Sequence, residues 1–124
     1  MEFDPQSTED ALLWAQERLR KLPRKVRLAM LFGMYAPLLN DNRRSVLSMW
    51  IDEDYSLSEI AEVLSISRQG VSDSIRHSES LLEETESKLG IVRRMMVQDA
   101  LLNVCEGGSE EMRELSAYLH RLWE

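Results

Sequence analysis

The residues of this chain that could do chemistry lie in SRQGVSDSIR, Ser67 to Arg76. At helical spacing Gln69, Ser72, Asp73 and Arg76 share one stripe, with Arg68 at its leading edge. Arginine donates two parallel hydrogen bonds to guanine, glutamine matches adenine, and serine serves either a base or a phosphate. Asp73 is the discordant member: phosphate repels it, and the base edge that suits it is the amino group of cytosine. Such a stripe suits the major groove of DNA. Arg43 and Arg44 supply cations upstream, as phosphate contacts, and His77 at the edge of the stripe reads as a solvated side chain.

A reading stripe needs elements to aim it. Upstream, SLSEIAEVLSI places Ile60, Leu64 and Ile66 on an apolar face, with Ala61 small enough for close helix crossing. Ser56 and Glu59 form the pattern S-x-x-E of a capping box. SIS is the turn, and Ser67 supplies the hydroxyl cap of the next helix. Val71 and Ile75 pin that helix to the same core. The arrangement is a helix-turn-helix whose second helix keeps its pattern to Leu89 and stops at Gly90.

The rest of the chain is helical as well. Ser7 or Thr8 caps a first helix with Leu12, Leu13, Ala15, Leu19 and Leu22 on one face, ended by Pro23. A second helix runs from Arg24 to about Ala36, before Pro37. Asn40 or Asp41 caps a third, NRRSVLSMWID, with Val46, Leu47, Trp50 and Ile51 inward. A sixth runs from Ile91 to about Cys105, and Ser109 begins a last one carrying Met112, Leu115, Leu119, Leu122 and Trp123. The expectation is an all-α chain of about seven helices in one domain, residues 1–124. Within it, 1–23 form an N-terminal extension, 24–89 the helix-turn-helix core without a wing, and 90–124 a C-terminal helical hairpin. Val71, Ile75, Ser78, Leu82, Thr85 and Leu89 follow a spacing that suits packing against that hairpin or a homodimer seam.

Composition excludes several classes. At 124 residues, 44% hydrophobic and 30% charged, the chain has an ordinary globular mixture. Cys105 is its only cysteine, so neither an internal disulfide nor a cysteine zinc site can form, and the residue reads as a small apolar side chain. MEFDPQSTED lacks the order of a signal peptide, and the longest apolar run, Leu28 to Leu39, is too short to span a bilayer. The expectations are a cytoplasmic protein with no membrane insertion. No phosphate loop, H-E-x-x-H or nucleophile elbow is present, so neither an enzyme nor a cofactor or metal is expected. Asp52 to Asp54 reads as an exposed corner.

The net charge of -7 opposes binding to a polyanion, yet the charge is unevenly spread. Arg18, Arg20, Lys21, Arg24, Lys25, Arg27, Arg43 and Arg44 face Asp41 alone in their stretch of chain. A local patch can act beyond the reach of distant acids, because fields are screened over about 8 Å. Arg24, Lys25, Arg27, Arg43, Arg44, Arg68 and Arg76 are therefore candidate phosphate contacts, and any DNA binding should be weak and salt-dependent.

The stretch from Tyr35 to Leu89 resembles the YlxM-type family of small bacterial helix-turn-helix proteins. The matching residues are Asp54, Ser56, Leu57, Glu59, Ile60 and Ala61, then Ser67, Arg68, Gln69 and Val71, then Leu82, Glu83, Glu86, Lys88 and Leu89. More distantly, the module is similar to the promoter-recognition helix-turn-helix of sigma factors. The resemblance implies a DNA-binding regulatory protein without catalysis, linked to the signal recognition particle pathway, whose GTPases or RNA become expected partners. Gly70 and Ser72 depart from the family pattern. A different class of function also fits: an adaptor in which acidic helices, through Glu79, Glu83 and Glu86, dock to a basic protein.

Overall fold

The computed structural model describes residues 7–106, with side chains to residue 103. Among the described residues there are six α-helices, one 3-10 turn and no strand, in agreement with the all-α expectation. The seventh helix, expected from Ser109 onward as the second arm of the C-terminal hairpin over 90–124, lies outside the described residues, as does the side chain of Cys105.

Two compact units are present. The larger, Leu22–Val92, holds the helix-turn-helix. Its first helix, α2 (Arg24–Tyr35), starts after Pro23 and gives way to a 3-10 turn over Ala36–Leu38. It is one residue shorter than expected, because Pro37 lacks the N–H that another α-helical bond would use. Asn40 caps α3 (Asp41–Ile51), its side chain accepting from the Arg43 amide at 2.8 Å. After α3, Asp54 turns the chain with φ of 55°, a left-handed conformation that aspartate tolerates better than most residues.

The capping box at α4 (Leu57–Leu64) is complete. The Glu59 amide donates to Ser56 Oγ, and the Ser56 amide donates to Glu59 Oε1, each at 3.1 Å. Ser65 adopts φ of 56° at the end of α4, and the Ile66 amide reaches back to the Ala61 carbonyl at 3.1 Å, a Schellman-type closure. That closure turns Ile66 outward, 40% exposed, so it does not pin the core as the sequence suggested.

The central element is α5 (Arg68–Leu89), which packs against α2, α3 and α4. Its inner stripe is Val71, Ile75, Ser78, Leu82 and Glu86. Leu28, Leu31, Tyr35, Val46, Leu47 and Ile60 close the core around it, all nearly inaccessible. Trp50 and Ile51, expected inward, are half-buried. Leu89, expected on the inner seam, is 48% exposed, and Glu86 takes the buried position instead.

In the smaller unit, Met1–Lys21 with Arg93–Glu124, α1 (Thr8–Lys21) buries Ala11, Ala15 and Leu19. Ser7 caps it through the Asp10 amide at 3.1 Å. Most of α6 (Ile91–Glu106) lies here, where Arg93 donates to Gln16 Oε1 at 3.2 Å. No described helix is long and apolar enough to cross a membrane.

Candidate nucleic-acid interface

Ser67 fixes the start of α5. Its Oγ accepts from the Gly70 amide at 2.9 Å, which satisfies one of the donors that every helix N-terminus leaves open. Immediately beyond, Arg68 and Gln69 are exposed, Ser72 and Asp73 are half-buried on the flank, and Arg76 and His77 are exposed. All the stripe residues thus lie on the first turns of one rigid, capped helix. Arg43 and Arg44 lie on the first turn of α3, which packs on α5.

The stripe is organised around Asp73. Gln69 Nε2 donates to Asp73 Oδ1 at 3.0 Å, and Arg76 donates to the same oxygen. The bond from Gln69 and then that from Arg76 hold the Asp73 carboxyl below its usual range. The acid that sequence spacing marked as discordant is thus matched by its own neighbours at i−4 and i+3.

The cations divide into two groups. Arg24, on α2, donates to both carboxylate oxygens of Glu79 on α5, with Arg24 Nε to Glu79 Oε2 at 3.0 Å. Arg27 donates to Glu83 at 2.6 Å and stands 3.9 Å from Glu79. Lys25 donates to Asp54 at 2.7 Å. Arg24 and Lys25 also lie over the Trp50 ring, at 5.4 and 5.1 Å from its centre, within cation–π range. These three cations, expected as phosphate contacts, are engaged in holding α2 to α5, to Trp50 on α3 and to the Asp54 turn. In the second group, Arg44 pairs with Asp41 and Arg76 with Asp73, each within one turn of helix. Arg68 and Arg43 make no ion pair among the described residues.

The same geometry engages the acidic residues of α5. Glu79 and Glu83 meet α2, while Glu86 is 4% exposed. Glu86 Oε1 accepts from Tyr35 Oη at 2.6 Å and from the Val92 amide at 3.0 Å, and Tyr35 Oη accepts from the Ile91 amide at 3.3 Å. This node binds the ends of α2 and α5 to the first turn of α6. Reading the sequence missed this node and the ion pairs between α2 and α5, and signals existed for the ion pairs alone. The available signals were the i, i+3 spacing of Arg24 and Arg27 and the i, i+4 spacing of Glu79 and Glu83, which present matching rows of opposite charge. Neither row names its partner. Among the described residues, no cluster of His, Cys, Asp or Glu has the makings of a metal site.

Comparison with known proteins agrees with this architecture. The helix-turn-helix protein family UPF0122, YlxM / p13 like, matches residues 22–119. That match begins where the larger unit begins and leaves α1 outside it. UPF0122 protein YlxM of Bacillus subtilis (strain 168) is 34% identical over 104 residues, covering 82% of this chain and 94% of that protein. UPF0122 protein Teth514_1714 of Thermoanaerobacter sp. (strain X514) is 42% identical over 87 residues, covering 70% of this chain and 74% of that protein. A family match over most of its length, relatives at this level of identity and an all-helical helix-turn-helix together make this chain a member of the YlxM / p13-like helix-turn-helix family.

Proposed function

We propose that the protein is a non-catalytic, cytoplasmic regulator that binds duplex DNA through the N-terminal turns of α5. The carrying observation is the exposed start of that helix: Ser67 caps it, Arg68 has no ion pair among the described residues, and Asp73 is hydrogen-bonded by Gln69 and its charge offset by Arg76. Arg68 and Gln69 meet base edges in the major groove, Ser72 lies on the flank, and Arg43 and Arg44 take phosphates. Binding is weak, because Arg24, Lys25 and Arg27 are held by internal partners and the net charge is -7.

The test is fluorescence anisotropy with the protein's own upstream DNA, a random duplex and signal recognition particle RNA. That RNA and the particle's GTPases are the partners to which the family resemblance points. Two neutralised phosphates, at Arg43 and Arg44, imply a loss of about sevenfold in affinity between about 50 and about 150 mM salt. Arg68→Ala with Gln69→Ala should abolish sequence preference. Absence of binding to every nucleic acid, with capture of the particle's GTPases, would replace the DNA reading with the adaptor reading. In that case Glu79 and Glu83 would dock by exchanging their α2 partners, whereas Glu86 is buried.

A further inference from the structure

We infer that Asp73 is a specificity-determining positioning residue that makes no contact with DNA and sets Gln69 to read adenine; this rests on the DNA-binding reading above. Gln69, Asp73 and Arg76 sit at i, i+4 and i+7 on one stripe of α5, with Gln69 and Arg76 exposed and Asp73 half-buried. A carboxylate only accepts hydrogen bonds, so it admits the amide of Gln69 in one orientation, with Nε2 toward Asp73 Oδ1 at 3.0 Å. The second Nε2 proton and the carbonyl Oε1 are then left for a partner. One donor beside one acceptor is the complement of adenine, which offers N7 as acceptor and its N6 amino group as donor. Guanine presents two acceptors in the same place, and the carbonyl of a fixed amide opposes one of them.

Arg76 completes the arrangement. Its guanidinium donates to the same Oδ1, which cancels the charge that would otherwise repel phosphate and restrains the side chain across the stripe. The remaining N–H groups of Arg76 stay available for phosphate or guanine. Asp73 therefore acts through its neighbours, ordering two long side chains before DNA arrives and reducing the entropy lost on binding.

The experiment selects binding sites from a randomised duplex pool with the full-length protein. It then measures affinities for the selected site, its single-base variants and a random duplex. Gln69→Ala identifies the base pair that Gln69 reads, which is expected to present adenine. Asp73→Ala should lower the adenine preference at that pair by about tenfold while affinity for the random duplex holds or rises. Asp73→Asn, which can still accept through Oδ1, should retain part of the preference. In a Gln69→Ala background, Asp73→Ala should have no further effect at that position. Three results would overturn the inference while leaving DNA binding intact: unchanged preference in Asp73→Ala, a base other than adenine at the Gln69 position, or a loss confined to a cytosine elsewhere in the site. Absence of any wild-type binding to duplex would overturn this inference and the proposed function together.

Discussion

Removing the hydroxyl of Tyr35 tests the most consequential contact of the fold. Tyr35 and Glu86 are 3% and 4% exposed, and their side chains meet at 2.6 Å. A hydrogen bond to a charged acceptor contributes about 1.5–3 kcal/mol, so Tyr35→Phe should destabilise by about 2 kcal/mol. Part of that loss comes from the Ile91 amide, which loses its acceptor. Glu86→Leu strands more: the Tyr35 hydroxyl and the Val92 amide both lose their acceptor, at about 1–3 kcal/mol each. Because the two substitutions remove the same bond, the double variant should be less destabilised than the sum of the singles by about 1.5–3 kcal/mol. Urea unfolding followed by circular dichroism measures all four corners of this cycle. Amide exchange at Ile91 and Val92 should also quicken in both single variants, since the node occupies the first turn of α6. Additive singles, or a Tyr35→Phe loss below about 0.5 kcal/mol, would refute the claim that this node joins α2, α5 and α6.

Other expectations follow from the same geometry. Burial, and then the Glu86 bond and charge, push the Tyr35 phenol up to about 12 from its ordinary 10.0. Its contribution to stability is thus complete below about pH 10 and is lost as pH rises through 10 to 12; unfolding across that range should show the extra slope in wild type and lack it in Tyr35→Phe. Ser78 is inaccessible and its Oγ has no hydrogen-bond partner among the described residues, so Ser78→Ala should stabilise by about 1 kcal/mol in urea titrations. At Gly70 an added Cβ would lie 3.1 Å from Ser67 Oγ, which crowds the cap. Gly70→Ala alone should therefore gain less than the ordinary ~1 kcal/mol of helix propensity, and should approach that gain in a Ser67→Ala background. Reversing charge at Glu83 (Glu83→Arg) should destabilise by about 1 kcal/mol, and Arg27→Glu in the same molecule should recover part of it, as read by thermal unfolding.

What was legible in the sequence acts over four residues or fewer. Asn40, Ser56 with Glu59, Ser67 and Gly90 mark helix ends through bonds between near neighbours, and the structure places the boundaries there. The buried positions Val46, Leu47, Ile60, Val71, Ile75 and Leu82 are legible for a related reason, since helical spacing brings apolar residues to one face wherever the helix goes. Ile66 shows where the rule stops. Its apolarity suggests the core, but the left-handed turn at Ser65 sends it outward.

Charged residues were decided by tertiary structure. Nothing local separates Arg24 and Arg27 from Arg68, or Glu86 from Glu79: each is a charge on a helix. Their fates depend on contacts across 55, 56 and 51 positions of chain, Arg24 with Glu79, Arg27 with Glu83 and Tyr35 with Glu86. The free energy of a charge depends on whether water or a partner surrounds it, and only the crossing of α2 over α5 settles that. The sequence alone determined the described helices, their caps and the polar stripe at the start of α5, whereas the tertiary structure decided which charges remain available for a partner and which hold the fold together.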